Sequence, residues 1–157
     1  MFGAFLDAHP LREMIHKTPG CPFPVFGDRT AWEAIAPEDK TDLLAYYESL
    51  KDTPYPLLTA SQFMAFVKNG SRKAYEDPYF LRRRKLIASV IHMCVTGDQA
   101  ALGDVIDGIW CICEESSWVI SAHNVNPFPG TVKAADKPLP DVHDRYVDLF
   151  AAQTAMI

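Results

Sequence analysis

Several things that this sequence lacks exclude whole classes of function. It has no excess of basic charge: Lys and Arg total 15 against 20 Asp and Glu, a formal net charge of −5. A nucleic-acid partner needs a basic face for its phosphates, so no such partner is expected. No apolar run reaches the ~18–20 residues that a bilayer-spanning helix requires, so no membrane partner is expected either. The start, "MFGAFLDAHPLREMIHK", has no basic stretch ahead of its apolar residues and meets Asp7 almost at once. It does not resemble a secretory signal, and a cytoplasmic location is the expectation. There is no glycine-rich phosphate loop, no nucleophile elbow and no strand alternation.

Cysteine is scarce, with four in the chain. Cys111 and Cys113 are two apart, which on a helix points them in very different directions. A disulfide between them is excluded on that ground, and reduced, buried cysteines are expected. His123, His143 and Asp144 lack the close spacing of a zinc site. Neither a metal nor a cofactor is expected.

What is present is ordinary globular material. The 157 residues are 48% hydrophobic and 22% charged, enough for one domain over 1–157 with its own core. The signals are helical throughout, so the fold class expected is all-α. A short helix is expected over 10–17, before the connector "TPGCPFPVFGD". Asp28 is placed to cap a turn carrying Trp32. Pro37 stands at a first helical position, with acidic residues just after it. "DTPYP" ends that helix, and Thr59 or Ser61 caps the next, which Gly70 stops.

Two stronger helices follow. Asp77-Pro78 is expected to start one, with Phe80, Ile87, Ile91 and Cys94 as its apolar stripe and Leu86 and Val90 beside it. Gly97 ends it and Asp98 caps its successor, where Leu102, Val105, Ile106, Ile109 and Cys113 form the expected core face. So short a link makes an antiparallel helical hairpin. The basic run Arg82-Arg83-Arg84-Lys85 is expected on a solvated face with ion-pair partners. A last helix, capped by Asp141, is expected to reach the final residue. Its apolar face has nothing after it to pack on, which suggests an incomplete portion of a larger array. Exposed helix faces of that kind favour a homo-oligomer.

The chemistry concentrates in "CEESSWVISAHN", 113–124. At about 100° per residue, Glu114 shares a helix edge with Trp110 and Asp107. A tryptophan face stacks on the apolar face of a sugar ring, while carboxylate, amide and imidazole take its hydroxyls. Glu114, Glu115, Trp118, His123 and Asn124 are therefore the candidate substrate-binding residues. Plainer readings stand beside this one: solvated glutamates at a helix end, core tryptophans, and a histidine bonded to loop backbone.

"DVIDGIWCICEESSWVISAHN" and, after a loop, "VDLFAAQTA" together resemble the N-terminal helical region of heparinase II/III-like polysaccharide lyases. The upstream "YPLLTASQFMAFVKNGSRKAYEDPYFLRRRKL" is also similar to the family. The resemblance implies antiparallel hairpins forming part of an (α/α) toroid with a cleft across one end. It implies β-elimination next to a uronic acid in an acidic oligosaccharide or polysaccharide. Such chemistry needs a group that neutralises the uronate carboxylate, so that an enolate-like transition state is stabilised, and a base for the C5 proton. The family's neutralising Asn and its catalytic Tyr and His lie beyond the signatures matched here, so no catalytic residue is assigned and the portion is expected to be inactive alone. The competing reading is a non-catalytic helical module that binds an oligosaccharide or a protein partner. A third is a small complete enzyme using Glu114, Glu115 and His123 as acid and base groups.

Overall fold

The computed structural model describes residues 23–124, 137–141, 143 and 147–157. Those residues form α1 (Arg29–Glu33), α2 (Pro37–Leu50), α3 (Ala60–Asn69), α4 (Lys73–Thr96), α5 (Leu102–Cys113), a 3-10 turn (Ser121–His123) and α6 (Leu149–Thr154). The all-α class is what the described residues adopt. The helix expected over 10–17 lies outside them.

Local chemistry accounts for most helix ends. Asp28 Oδ1 accepts the Ala31 amide at 3.2 Å and starts α1. Pro37 begins α2, with Glu38 and Asp39 in the first turn, where carboxylates favour the positive helix end. Thr59 and Gln62 form a full capping box at α3. Gly70 and Gly97, both at φ 75°, end α3 and α4 in the left-handed region, which glycine enters without a Cβ penalty.

α4 starts earlier than Pro78 suggests, at Lys73. A proline inside a helix forfeits one backbone bond. Here the extra turn buries Tyr75 against Phe63, ring centroids 4.9 Å apart, and pairs Arg72 with Glu76 at 2.7 Å. The 24 residues of α4 span about 36 Å, and three core clusters are strung along them. Tyr75 and Tyr79 meet Phe63 and Ile120 near its start. Ala88 meets Tyr47 and Ala101 in the middle. Cys94 and Val95 meet Trp32 at the end. Because each cluster draws on a different neighbour, α4 is the spine on which the other helices dock.

α4 and α5 form the expected antiparallel hairpin. Gly108 is the close point: a Cβ there would overlap the Tyr55 hydroxyl and stand 3.1 Å from Leu86 Cδ1. The face of α5 differs from the expected one. Gly108 and Ile112 turn inward, while Leu102, Ile106 and Ile109 are 41%, 55% and 51% exposed. Cys113 is exposed too, against the expectation of buried cysteines, although Cys94 is buried. Ile87 and Val90 of α4 are likewise exposed. A hairpin covers only one side of each helix, and the contact went to the side where glycine permits close approach. Ile106→Ser is accordingly expected to change unfolding free energy by no more than about 0.5 kcal/mol. Leu86→Ala, at a site 4% exposed, costs about 2–5 kcal/mol. Urea unfolding of both variants checks the pair; a larger loss for Ile106→Ser would mean that its face is covered.

The basic run also departs from expectation. Arg84 is exposed, but Arg82, Arg83 and Lys85 are buried. Positions 82, 83 and 86 continue the helical face begun by Tyr75 and Tyr79, so a solvated position was never open to them. The expected last helix is shorter, with Asp148 rather than Asp141 as its cap, accepting the Ala151 amide at 2.7 Å. Among the described residues no helix is long and apolar enough to cross a membrane.

Candidate functional site

The corner at 113–124 forms where α5 runs out. Val119 and Ile120 are 7% and 0% exposed, and Ile120 joins the Phe63–Tyr75–Tyr79 cluster. Burying them pulls the chain back over α4 and presses Glu115 down between two arginines. Glu115 is 1% exposed at its side chain. Its Oε2 accepts Arg83 Nη2 at 2.7 Å, and its Oε1 accepts Arg83 Nη1 at 3.1 Å and Arg82 Nη1 at 3.3 Å. Arg83 further donates through Nε to Thr154 Oγ1 at 2.8 Å, and lies 3.3 Å over the Tyr79 ring. This fork-to-fork pairing anchors the corner to α4 and to α6 at once.

Above it opens a cleft of about 460 Å³, within the ~300–1,000 Å³ range of small-molecule sites. One wall is 57–60 and the start of α3; another is Glu114 to Ser117; Leu139 and Pro140 make a third. Arg82, Phe63 and Tyr75 contribute to its base. Burial, then the charge of Glu115, pushes the Tyr75 phenol well above the ordinary tyrosine range. It therefore stays a neutral hydroxyl at physiological pH and is no ready base.

A smaller groove of about 290 Å³ adjoins it, sharing Cys111 and lined by Pro54, Tyr55, Lys85, Asp104, Asp107 and Trp110. Lys85 Nζ uses three donors there, to Lys51 O at 2.9 Å, Thr53 O at 2.7 Å and Asp104 Oδ1 at 3.0 Å. Tyr55 donates to Asp104 O at 2.7 Å, and burial raises its phenol above the ordinary range as well. Trp110 stands 65% exposed on the rim, not in the core.

The five candidate residues part company. Glu114 and Glu115 line the cleft. Asn124 shapes it from behind: its amide donates to Lys137 O at 2.9 Å and Leu139 O at 3.0 Å, holding the third wall. Trp118 is half-buried and closes the end of α5, its Nε1 donating to Ile112 O at 3.0 Å. His123 stacks on Phe150 with centroids 5.4 Å apart, and its Nδ1 lies 2.8 Å from Asp148 Oδ2. Neither Trp118 nor His123 is part of the cleft lining. Glu115, held by two guanidinium groups, is tied up as an acceptor and is poorly placed for proton transfer.

Arg82, Tyr75 and Thr59 also line the cleft but were not candidate binding residues: Arg82 was expected on a solvated face, Thr59 was read only as a helix cap, and Tyr75 was given no role. The signal for Arg82 was its rhythm with Tyr75, Tyr79 and Leu86 on one helical face. Among the described residues no group of three or more His, Cys, Asp or Glu is gathered to hold a metal ion. No protein-family model matches the chain, and no curated protein matches it.

Proposed function

We propose that this helical array is the N-terminal portion of a heparinase II/III-like lyase, and that its cleft receives part of a uronic-acid-containing oligosaccharide or polysaccharide. The observation that carries the reading is the cleft itself. Four residues of the family-like stretch, Glu114 to Ser117, form one of its walls, and they bring carboxylate and hydroxyl groups into a lining that also holds the apolar and aromatic side chains of Leu58 and Phe63. A sugar ring presents the matching pair, hydroxyls at its edge and C–H groups on its face. With Glu115 locked and Tyr75 neutral, the cleft suits binding and positioning, and elimination would depend on groups outside the described residues. In the lyase reading this hairpin belongs to an (α/α) toroid.

The exposed stripe of α5 favours a second reading, a non-catalytic helical module that holds an oligosaccharide or a protein partner. The same stripe supports association of copies through helix faces.

The test joins a turnover assay to a binding assay. The chain is offered a panel of acidic oligosaccharides while absorbance in the unsaturated-uronate band is followed, and binding is titrated by calorimetry. Binding without a rising absorbance is expected. Ala60→Trp, at an exposed position on the cleft wall, fills the site and is expected to weaken binding at least tenfold with an unchanged melting temperature. Full affinity in the folded variant would remove the cleft from the ligand's path. Turnover by the chain alone would restore the small-enzyme reading.

A further inference from the structure

The outer side of α5 is an apolar edge with a charged border. Gly108 and Ile112 turn inward, and at about 100° per residue Leu102, Ile106 and Ile109 then lie on the outer side. All three are exposed. Next around the helix comes Trp110, also exposed, and beyond it Asp107 and Glu114. An exposed apolar surface of this kind with a polar rim marks a contact surface. Tryptophan is among the residue types concentrated at the energetic centres of such contacts.

The groove of about 290 Å³ beside Trp110 adds a chemical preference. It falls just below the ~300–1,000 Å³ of small-molecule sites and suits one long side chain. Its single cation, Lys85, is matched at 3.0 Å by Asp104, so Asp107 gives the lining one negative charge in excess. Trp110 and Tyr55 supply aromatic walls. An indole face and a carboxylate together suit a guanidinium: the ring attracts the cation, and the carboxylate accepts its paired N–H groups. Asp107 and Glu114 are solvated, so they select the partner and speed its approach more than they tighten its hold.

Charge also separates the candidate occupants. Every charged residue from 102 to 115 is acidic. Pairing α5 with the α5 of a second copy would bring carboxylate to carboxylate across the seam. An anionic lipid surface meets the same repulsion. A basic amphipathic helix is attracted instead, and its apolar stripe has the period of Leu102, Ile106 and Ile109, at i, i+4 and i+7.

We infer that the outer edge of α5 docks a basic amphipathic helix of another protein. Apolar side chains of that helix rest on Ile106 and Ile109, and one arginine enters the groove between Trp110 and Asp107. This rests on the protein-partner reading of the array and names the partner's chemistry; it does not depend on what the larger cleft holds.

Three helical peptides of about 18 residues, long enough to form a helix, are titrated against the intact chain by fluorescence anisotropy. They share one leucine stripe and carry arginine, glutamine or glutamate at the flanking positions. The arginine peptide is expected to bind at least tenfold more tightly than the glutamate peptide, with glutamine between them and the gap closing as salt is added. Ile106→Ser and Trp110→Ala, both at exposed positions, each weaken the arginine peptide at least fivefold with an unchanged melting temperature. Asp107→Asn narrows the ratio of arginine to glutamate peptide two- to threefold.

Equal affinity for the three peptides would overturn the inference, as would no binding of any of them at millimolar concentration. A dimer in sedimentation that Ile106→Ser disperses, with no peptide preference, would overturn it in favour of a second copy. Partition onto phosphatidylcholine vesicles that Trp110→Ala abolishes, with no peptide preference, would overturn it in favour of a membrane. Ala60→Trp keeps the two surfaces apart: it is expected to weaken the oligosaccharide and spare the peptide. Loss of the peptide in that variant would place it in the cleft and overturn the docking edge. Oligosaccharide binding without peptide binding would defeat the docking edge and leave the carbohydrate cleft standing.

Discussion

Glu115→Ala is expected to be the most damaging single substitution at the corner, costing about 3–5 kcal/mol, a large part of the ~5–15 kcal/mol that holds a domain folded. The cost comes less from the lost carboxylate than from what stays behind. Arg82 and Arg83, 8% and 4% exposed, would face each other across the vacated space without a counter-charge. The fork between Arg83 and Glu115 also holds α4 to the turn at 115–117, and through Thr154 it reaches α6. Urea unfolding measures the loss. Adding Arg83→Met to Glu115→Ala should recover part of it, because one of the stranded charges is then removed. A loss below about 1 kcal/mol for Glu115→Ala would mean that water reaches the pair and that the cleft base is wetter than described.

The second large effect is expected from Lys85→Met. All three ammonium donors of Lys85 are in use, two on the carbonyls of Lys51 and Thr53 and one on Asp104. Methionine fills a similar volume but strands both carbonyls and the carboxylate. Two orphaned acceptors at about 1 kcal/mol each, with a partly solvated ion pair, give a loss of about 2–4 kcal/mol. The damage should also be local. Lys85 ties the segment after α2 to the spine, and that segment continues through Tyr55 and Pro56 into the cleft wall at 57–60. Hydrogen exchange should therefore speed up over 51–58 before α4 itself loses protection. Uniform loss of protection along α4 would show that Lys85 acts on the whole core.

Both predictions turn on the basic run, which was expected on a solvated face with ion-pair partners: the partners are there, but Arg82, Arg83 and Lys85 are buried. Four consecutive basic residues read as a solvated face because isolated buried charges are so costly. What makes burial tolerable is a set of partners drawn from elsewhere: Glu115 for the arginines, and Asp104 with the carbonyls of Lys51 and Thr53 for the lysine. None of those partners is near in sequence, and no local pattern announces them. The stripe of α5 failed for a related reason. Leu102, Ile106 and Ile109 are its most apolar series, but Gly108 lets Tyr55 and Leu86 come closer than any larger residue would allow, and close approach decided the buried side.

The candidate corner was legible as a place and only partly as a set of roles. Two glutamates, two serines and a tryptophan after an apolar helix mark a chain leaving that helix with polar cargo. Which of them face a cavity depends on Ile120 burying itself beside Phe63 and Tyr79, a contact between residues tens of positions apart. That contact turns Glu115 inward, leaves Glu114 on the rim and turns the Trp118 indole toward the end of α5.

By itself the sequence determined the all-α class, the helix boundaries set by Asp28, Pro37, Gly70 and Gly97, and the pairing of α4 with α5; it narrowed the cap of α3 to Thr59 or Ser61. Each of these follows from short-range chemistry: a side chain reaching its own backbone, a ring without an amide hydrogen, a glycine free to take positive φ, a link too short to do anything but reverse. The tertiary structure alone decided which side of α5 is covered, that three of the four clustered cations belong inside, and that Arg82 and Arg83 share the carboxylate of Glu115. Those outcomes depend on long-range partners, and burial of a charge or a stripe is settled only when the partner's position is known.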